Sequence, residues 1–222
     1  MTGARPRSAE RPVPRWVLEQ RMPGRRLFVA VPLPTPVRDE VVALVERVRA
    51  EVRPPADPGE STAAHEVRWV RMDGLHLTLR FLGPTPDEKM PAIVEAMRRA
   101  CRGLAPFDVE LAGAGAFPSP DRPRVLWLGI TRGAEPLSGL AGSLEEGLAS
   151  AGWPRDERPF RPHLSLARSD GVRAGPATVR ALVRLAAGFR VAWTADRLVL
   201  YESLTGHGPA RYEPVEEVAL TL

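Results

Sequence analysis

Cysteine and lysine are nearly missing from this chain: Cys101 is its only cysteine and Lys89 its only lysine among 222 residues. A lone cysteine excludes an intrachain disulfide and a thiolate metal cluster. Cys101 falls at the end of an expected helix, where it reads as a small buried hydrophobe. Aromatic residues make up 6% of the chain, so any stacking on nucleobases rests on a few rings. Trp69, Trp127 and Trp193 read as core. No apolar run approaches the ~18 residues of a membrane helix, and the opening "MTGARPRSAERPVPRWVLEQRMPG" has no hydrophobic signal core. Nucleotide-cradling loops are missing too. There is no P-loop, and the GxG in "AGAGAF" runs into "PSPDRP" instead of opening a helix. The four histidines lack zinc spacing, no acidic cluster for a two-metal nuclease lies near them, and serine-nucleophile motifs are absent. A cytoplasmic protein needing no cofactor and no metal is expected, with no membrane association.

The positive charge comes almost entirely from arginine, and it is unevenly placed. Residues 1–26 hold seven arginines against Glu10 and Glu19, a local balance of +5 within a whole-chain net of +4. The remainder is therefore close to neutral, at about −1. A general "basic, hence nucleic-acid-binding" reading fails on that distribution. A near-neutral body suits recognition of a terminus better than tracking of a long phosphate chain. Residues 1–24 are expected to form an Arg/Pro-rich flexible leader, and residues 25–222 a single bilobal domain.

Hydrophobic spacing divides that domain. "RRLFVAVPL" reads as a buried strand. In 36–51, Val37, Val41, Leu44, Val45 and Val48 recur at helical spacing. "VRPPADPGESTAAHE" is a loop by composition, and His65 within it reads as a surface histidine. "VRWV" and "LHLTLRFLG" read as strands, and "TPDEKMPAIVEAMRRAC" as a helix. Then come strands "FDVELAGAGAF" and "RVLWLGI", a helix over "EPLSGLAGSLEEGLASAG" and a strand "RPFRPHLSLAR". A helix around "GPATVRALVRLA" precedes closing strands "FRVAWTADRLVLYESL" and "RYEPVEEVAL", with His207 unemployed in the turn between. Strands that succeed one another with no helix between favour antiparallel pairing. The repeated order suggests internal duplication.

Two of the four histidines stand in near-identical tetrapeptides, "HLTL" at 76–79 and "HLSL" at 163–166. Alternation along a strand sends Leu77 and Leu79 to one face and His76, Thr78 and Arg80 to the other. Likewise His163 and Ser165 lie opposite Leu164 and Leu166. Either strand alone is what a structural histidine on a sheet face looks like. Two in matching halves offer an acid, a base and two hydroxyls. Displacement at phosphorus needs that set: one group takes a proton from water, another protonates the leaving alkoxide, and hydroxyls hold the non-bridging oxygens.

"HLTLRFLG" and "FRPHLSLAR" resemble the paired motifs of the 2H phosphoesterase superfamily, within it the RNA 2′,3′-cyclic phosphodiesterases, also called 2′-5′ RNA ligases. "RRLFVAVPLP", "RWVRMDGLHLTLRFLG", "GAFPSPDRPRVLWLGI" and "LVLYESLTGHGPARYEPV" are similar to segments of that family in the same order, so the resemblance covers about residues 25–222. It implies an α+β, two-lobed, internally duplicated fold, with mainly antiparallel sheets lining a central cleft and helices outside. It also implies metal-independent opening of an RNA 2′,3′-cyclic phosphate to a 2′-phosphate, and reversible 2′-5′ RNA ligation by the same groups. His76 would be the proton donor and His163 the proton acceptor, with Thr78 and Ser165 beside them. Substrates would be RNA 3′ ends or small cyclic nucleotides, and the protein a monomer with no obligate partner. Arg168 looks like a phosphate-contacting arginine of the family, although strict alternation puts it on the leucine face, so the strand must bend before it. Arg80, by parity, and Phe160, beside the second motif, are further substrate-binding candidates. The basic leader and a long loop at 53–66 depart from the family pattern, as does serine at Ser165, where threonine is commoner. A binder that holds phosphorylated RNA ends in the same cleft without turnover is the alternative; the presence of both histidines and both hydroxyls favours the enzyme.

Overall fold

The computed structural model of the protein describes residues 24–52, 67–169, 175–204 and 210–222. His65, His207 and the leader before residue 24 lie outside the described residues. The expected elements form almost where the spacing places them. The first strand is β1 (Arg25–Pro32), followed by α1 (Thr35–Val52), which buries the four predicted valines and Leu44 on one stripe. A two-residue strand β2 (Arg68–Trp69) and a short 3₁₀ turn at Met72–Gly74 lead into β3 (His76–Thr85). Pro91, at the start of α2 (Met90–Cys101), lacks an N–H that the first turn would leave unpaired anyway. Next come β4 (Phe107–Phe117), β5 (Val125–Arg132) and α3 (Ala134–Ser150). The chain ends with β6 (His163–Arg168), α4 (Gly175–Leu185), β7 (Arg190–Ala195), β8 (Arg197–Leu204) and β9 (Arg211–Ala219). The last expected histidine strand is shorter than "RPFRPHLSLAR" suggests. Residues 158–162 stay outside the ladder, as Pro159 and Pro162 have no N–H to donate to it.

All strand pairings are antiparallel and build two sheets, ordered β3-β1-β8-β9 and β2-β6-β5-β4-β7. The two lobes are not successive halves of the chain. Strands β8 and β9 return from the C-terminal end to complete the first sheet, and β2 leaves the N-terminal half to edge the second. Helices pack in pairs, α1 against α4 and α2 against α3. One continuous core joins helices and sheets, including Val45, Ile93, Leu128, Leu144 and Leu200. Cys101 belongs to it, and burial pushes its thiol up to about 11, which makes it inert. Among the described residues no helix is long and apolar enough to cross a membrane.

For catalysis the useful consequence is the position of the two histidine strands. β3 is an edge strand of its sheet, β6 is next to the edge of the other, and the two strands meet. Leu77, Leu79, Leu164 and Leu166 are buried behind them. At about 1.5–3 kcal/mol each, these leucines fix both strands as a rigid wall.

Candidate active site

His76 opens β3 and His163 opens β6, and each ring is held in the same way. Nδ1 of His76 lies 2.7 Å from the carbonyl oxygen of Gly74, and Nδ1 of His163 lies 2.6 Å from that of Arg161. A carbonyl can only accept, so each Nδ1 carries the hydrogen and donates it. Nε2 is thereby left as the proton-transferring nitrogen of both rings. Gly74 is required for this arrangement: a Cβ there would sit 2.7 Å from Cδ2 of Tyr212.

Strand register decides which side chains beyond each histidine share its face. On β1, Pro32, Ala30 and Phe28 pair with His76, Thr78 and Phe81, whereas Val29 pairs with Arg80. Leu79 has no partner, so the ladder bulges there and alternation reverses. On β5, Gly129, Trp127 and Val125 pair with His163, Ser165 and Arg168, while Leu126 pairs with Ala167. Leu166 is the unpaired residue on that side. Both motifs thus bulge at the same point, three residues after the histidine. Directly opposed residues share a sheet face, so the fifth residue after each histidine rejoins it. Those residues are Phe81 and Arg168.

The expected bend before Arg168 is therefore real. The placement of Arg80 on the histidine face is corrected, since strict parity fails one residue earlier. Arg80 is only 8% exposed. Its guanidinium donates to Glu145 Oε2 at 2.6 Å and to the Phe81 carbonyl at 2.7 Å, and also reaches the Pro154 carbonyl and Asp156. It borders the cleft, but its donors are committed to the protein. Phe81, which parity sends to the core, is 58% exposed on the cleft face.

The cleft has two arms. One, of about 540 Å³, is lined by His76, Phe28, Tyr212 and Arg26. The other, of about 970 Å³, is lined by His163, Phe117, Val125 and Phe160. Thr78, Arg80, Phe81, Asp156, Ser165 and Arg168 line both, at the junction. Among the described residues neither the Thr78 nor the Ser165 hydroxyl is engaged by another protein group. Phe160 lines the larger arm and also packs partly buried on the core. Trp193 is buried as expected, whereas Trp69 only packs partly buried against the core. Trp127 is not core either: it lies on the His163 face, its ring 5.2 Å from that of Phe117.

The histidines differ in their surroundings. His76 is boxed by Phe28 at 4.6 Å, Tyr201 at 5.8 Å and Tyr212 edge-on at 5.0 Å between ring centroids. Burial pushes its imidazole down to about 4, against the opposing hydrogen bond to Gly74. His163 has one aromatic neighbour, the edge-on Phe117 at 5.1 Å. Its pKa is lowered first by burial, opposed by the Arg161 carbonyl, and lowered again by the charge of Arg168. No group of three or more His, Cys, Asp or Glu among the described residues is placed to hold a metal ion.

A duplicated two-histidine cleft between antiparallel sheets defines a class, and comparison with known proteins agrees. Residues 34–207 match the model of the 2′-5′ RNA ligase superfamily, and the chain belongs to that family. A curated RNA 2′,3′-cyclic phosphodiesterase of Escherichia coli is 33% identical over 89% of this chain and 97% of its own length. One of Aeropyrum pernix is 40% identical over 52% of this chain and 65% of its own length. Among solved structures, E. coli LigT complexed with 3′-AMP superposes with a TM-score of 0.67 at 32% identity, covering 89% of this chain and 99% of that one. A Thermus thermophilus protein gives a TM-score of 0.64 at 32% identity, covering 88% of this chain and 97% of that one.

Sequence reasoning found the histidines, the hydroxyls and Arg168. It missed Phe81, Phe28, Tyr201 and Tyr212. The doubled burial of Leu79–Arg80 and of Leu166–Ala167 marks each bulge in the structure, but leucine-arginine and leucine-alanine carry no signal for one. The aromatic box joins β1, β3, β8 and β9, and no local spacing reports that.

Proposed function

We propose that this protein hydrolyses 2′,3′-cyclic phosphates at RNA 3′ ends, or on small cyclic nucleotides, to 2′-phosphates by metal-independent acid–base catalysis. The observation that carries this reading is the matched tethering of the two rings, each Nδ1 bonded to the carbonyl two residues upstream, which presents two Nε2 atoms to one cleft. The family membership and the curated relatives named RNA 2′,3′-cyclic phosphodiesterase support it.

In the proposed reaction His163 Nε2 takes a proton from water as the water oxygen bonds to phosphorus. The bond from phosphorus to O3′ breaks, O3′ receives the proton of His76 Nε2, and the phosphate stays on O2′. Thr78 and Ser165 donate hydrogen bonds to the non-bridging oxygens, where charge accumulates. Arg168 adds a positive charge beside them. That charge also disfavours protonation of His163 in the free protein, which suits a proton acceptor. Phe160 and Phe81 flank the junction as platforms for a base, and Arg80 positions β3 against α3 without touching substrate. With an RNA 5′-hydroxyl in place of water, the same groups form a 2′-5′ linkage. The cytoplasm, where an unpaired cysteine is stable, is the proposed setting, with the protein acting as a monomer.

The test is an RNA ending in a 2′,3′-cyclic phosphate, incubated with EDTA, with the product then identified. A 2′-phosphate is expected, and His76→Ala and His163→Ala should each lower kcat by about 10²–10⁴-fold. Loss of turnover with EDTA, a 3′-phosphate product, or full activity in either variant would refute the mechanism.

A further inference from the structure

The edge strand β2 places a second arginine beside the first. Arg68 pairs directly with Arg168 across the β2–β6 ladder, as Trp69 does with Ala167. A further bond from Val70 N–H to the Leu166 carbonyl, at 3.0 Å, extends that register. Opposed residues share a face, with Cβ atoms about 4.5–5.5 Å apart. Arg168 is on the histidine face through its pairing with Val125, so Arg68 is on that face as well.

Such a pair is unfavourable by itself, because like charges directly opposite one another destabilise a ladder. Some arginines of the sheets are neutralised by a nearby carboxylate, as Arg25 is by Glu202 and Arg190 by Glu110. Among the described residues neither Arg68 nor Arg168 has an ion-pair partner. Arg68 is exposed on an open sheet edge. Two unneutralised guanidiniums side by side, one at the junction of the cleft and one a strand further out, are matched to two negative charges in sequence.

We propose that Arg68 is a second phosphate-binding position. Arg168 serves the reacting cyclic phosphate, and Arg68 takes the phosphodiester that joins the last two nucleotides. The substrate class is then an oligonucleotide end in preference to a cyclic mononucleotide, which has no second phosphate to offer. This assignment rests on the cyclic phosphodiesterase reading. One extra contact fits a protein whose charge after residue 26 is nearly balanced.

The experiment compares kcat/KM for a 2′,3′-cyclic mononucleotide and for a trinucleotide ending in the same cyclic nucleotide, in the wild type, Arg68→Ala and Arg68→Lys. Arg68→Ala should lower kcat/KM for the trinucleotide about tenfold more than for the mononucleotide, about 1.4 kcal/mol. Arg68→Lys should recover part of that difference, since the contact is to charge. The slope of log kcat/KM against log salt for the trinucleotide should flatten by about 0.7, as one phosphate contact to a single strand is lost. A trinucleotide with a neutral methylphosphonate at its last linkage should behave in the wild type as the natural one does in Arg68→Ala. Equal effects on both substrates, or none on either, overturn the subsite and leave the cyclic phosphodiesterase reading standing. Wild-type protein that turns over neither substrate overturns both.

Discussion

The two histidine strands share a backbone and differ in what they hang on it. Both bulge three residues after the histidine, and both return their fifth residue to the cleft face. In the first motif the fourth and fifth residues are Arg80 and Phe81; in the second they are Ala167 and Arg168. Duplication has thus kept the geometry that aims the acid and base and has let the flanks diverge. One flank became aromatic and the other cationic, as a nucleotide with a base at one end and a phosphate at the other requires. The fourth residue, buried in both, shows the same divergence: alanine fits the second lobe, while the first buries a guanidinium.

Arg80 offers the largest break in that comparison. It and Glu145 are both poorly exposed, and the ion pair ties β3 to α3. Arg80→Ala leaves the half-buried Glu145 carboxylate without its guanidinium and empties the site Arg80 fills, and is expected to destabilise the fold by about 3 kcal/mol. Ala167→Gly, at the matching position, removes one methyl and should cost well under half as much. Urea denaturation of both variants gives the answer. If Arg80→Ala were as mild as Ala167→Gly, with the loss appearing in KM instead, Arg80 would belong to substrate binding after all.

Surroundings separate the histidines in a second way, with a smaller effect. The aromatic box keeps His76 neutral down to about pH 4 in the free protein, so a proton donor at that position must gain its proton as the substrate arrives. A cyclic phosphate is a monoanion, and an opposite charge within the dry box raises the imidazole pKa. Binding then takes up a proton wherever the pH lies between the free and bound values. Affinity for a cyclic mononucleotide, measured by calorimetry in His163→Ala to prevent turnover, should strengthen as pH falls through that window, by at most about 1.4 kcal/mol per unit. Tyr212→Ala opens the box, brings the free value back towards 6.5 and should shrink the dependence; Tyr212→Phe should keep it. An affinity flat from about pH 7.5 to 4.5 would mean that His76 does not bind the proton with the substrate.

The range of each interaction decides how much of this was legible in the residues. Helix stripes such as Val37, Val41, Leu44, Val45 and Val48 are local, and the helices form on them. The paired tetrapeptides are local as well, and the leucines behind them fix which side of each strand is polar. Legibility ends at Leu79, because a bulge depends on how two strands register and not on either strand's own pattern. Arg80 and Phe81 therefore change places. For Arg168, the family resemblance demands the bend that alternation alone forbids, and nothing comparable demands one in the first motif. Nothing near His76 in the sequence announces Tyr201 or Tyr212, which arrive from 125 or more residues away.

Thr78 and Ser165 give the finest version of the comparison, because both keep a hydroxyl at the cleft junction. Threonine is stiffer, since its branched Cβ restricts the rotamer. Across the ladder Thr78 pairs with Ala30 and Ser165 with Trp127, whose indole leans the other way, over Gly115 of β4. Both positions present an oxygen, so what separates them is the stiffness of the rotamer. Thr78→Ser should therefore change kcat/KM by less than about threefold, the cost of loosening one rotamer. Ser165→Thr, which keeps the hydroxyl and stiffens its rotamer, should likewise change kcat/KM by less than about threefold. Steady-state kinetics on a cyclic mononucleotide, with thermal unfolding measured alongside, separates lost stability from chemistry. A several-fold change in Ser165→Thr would mean that the hydroxyl's rotamer freedom sets the rate at that position.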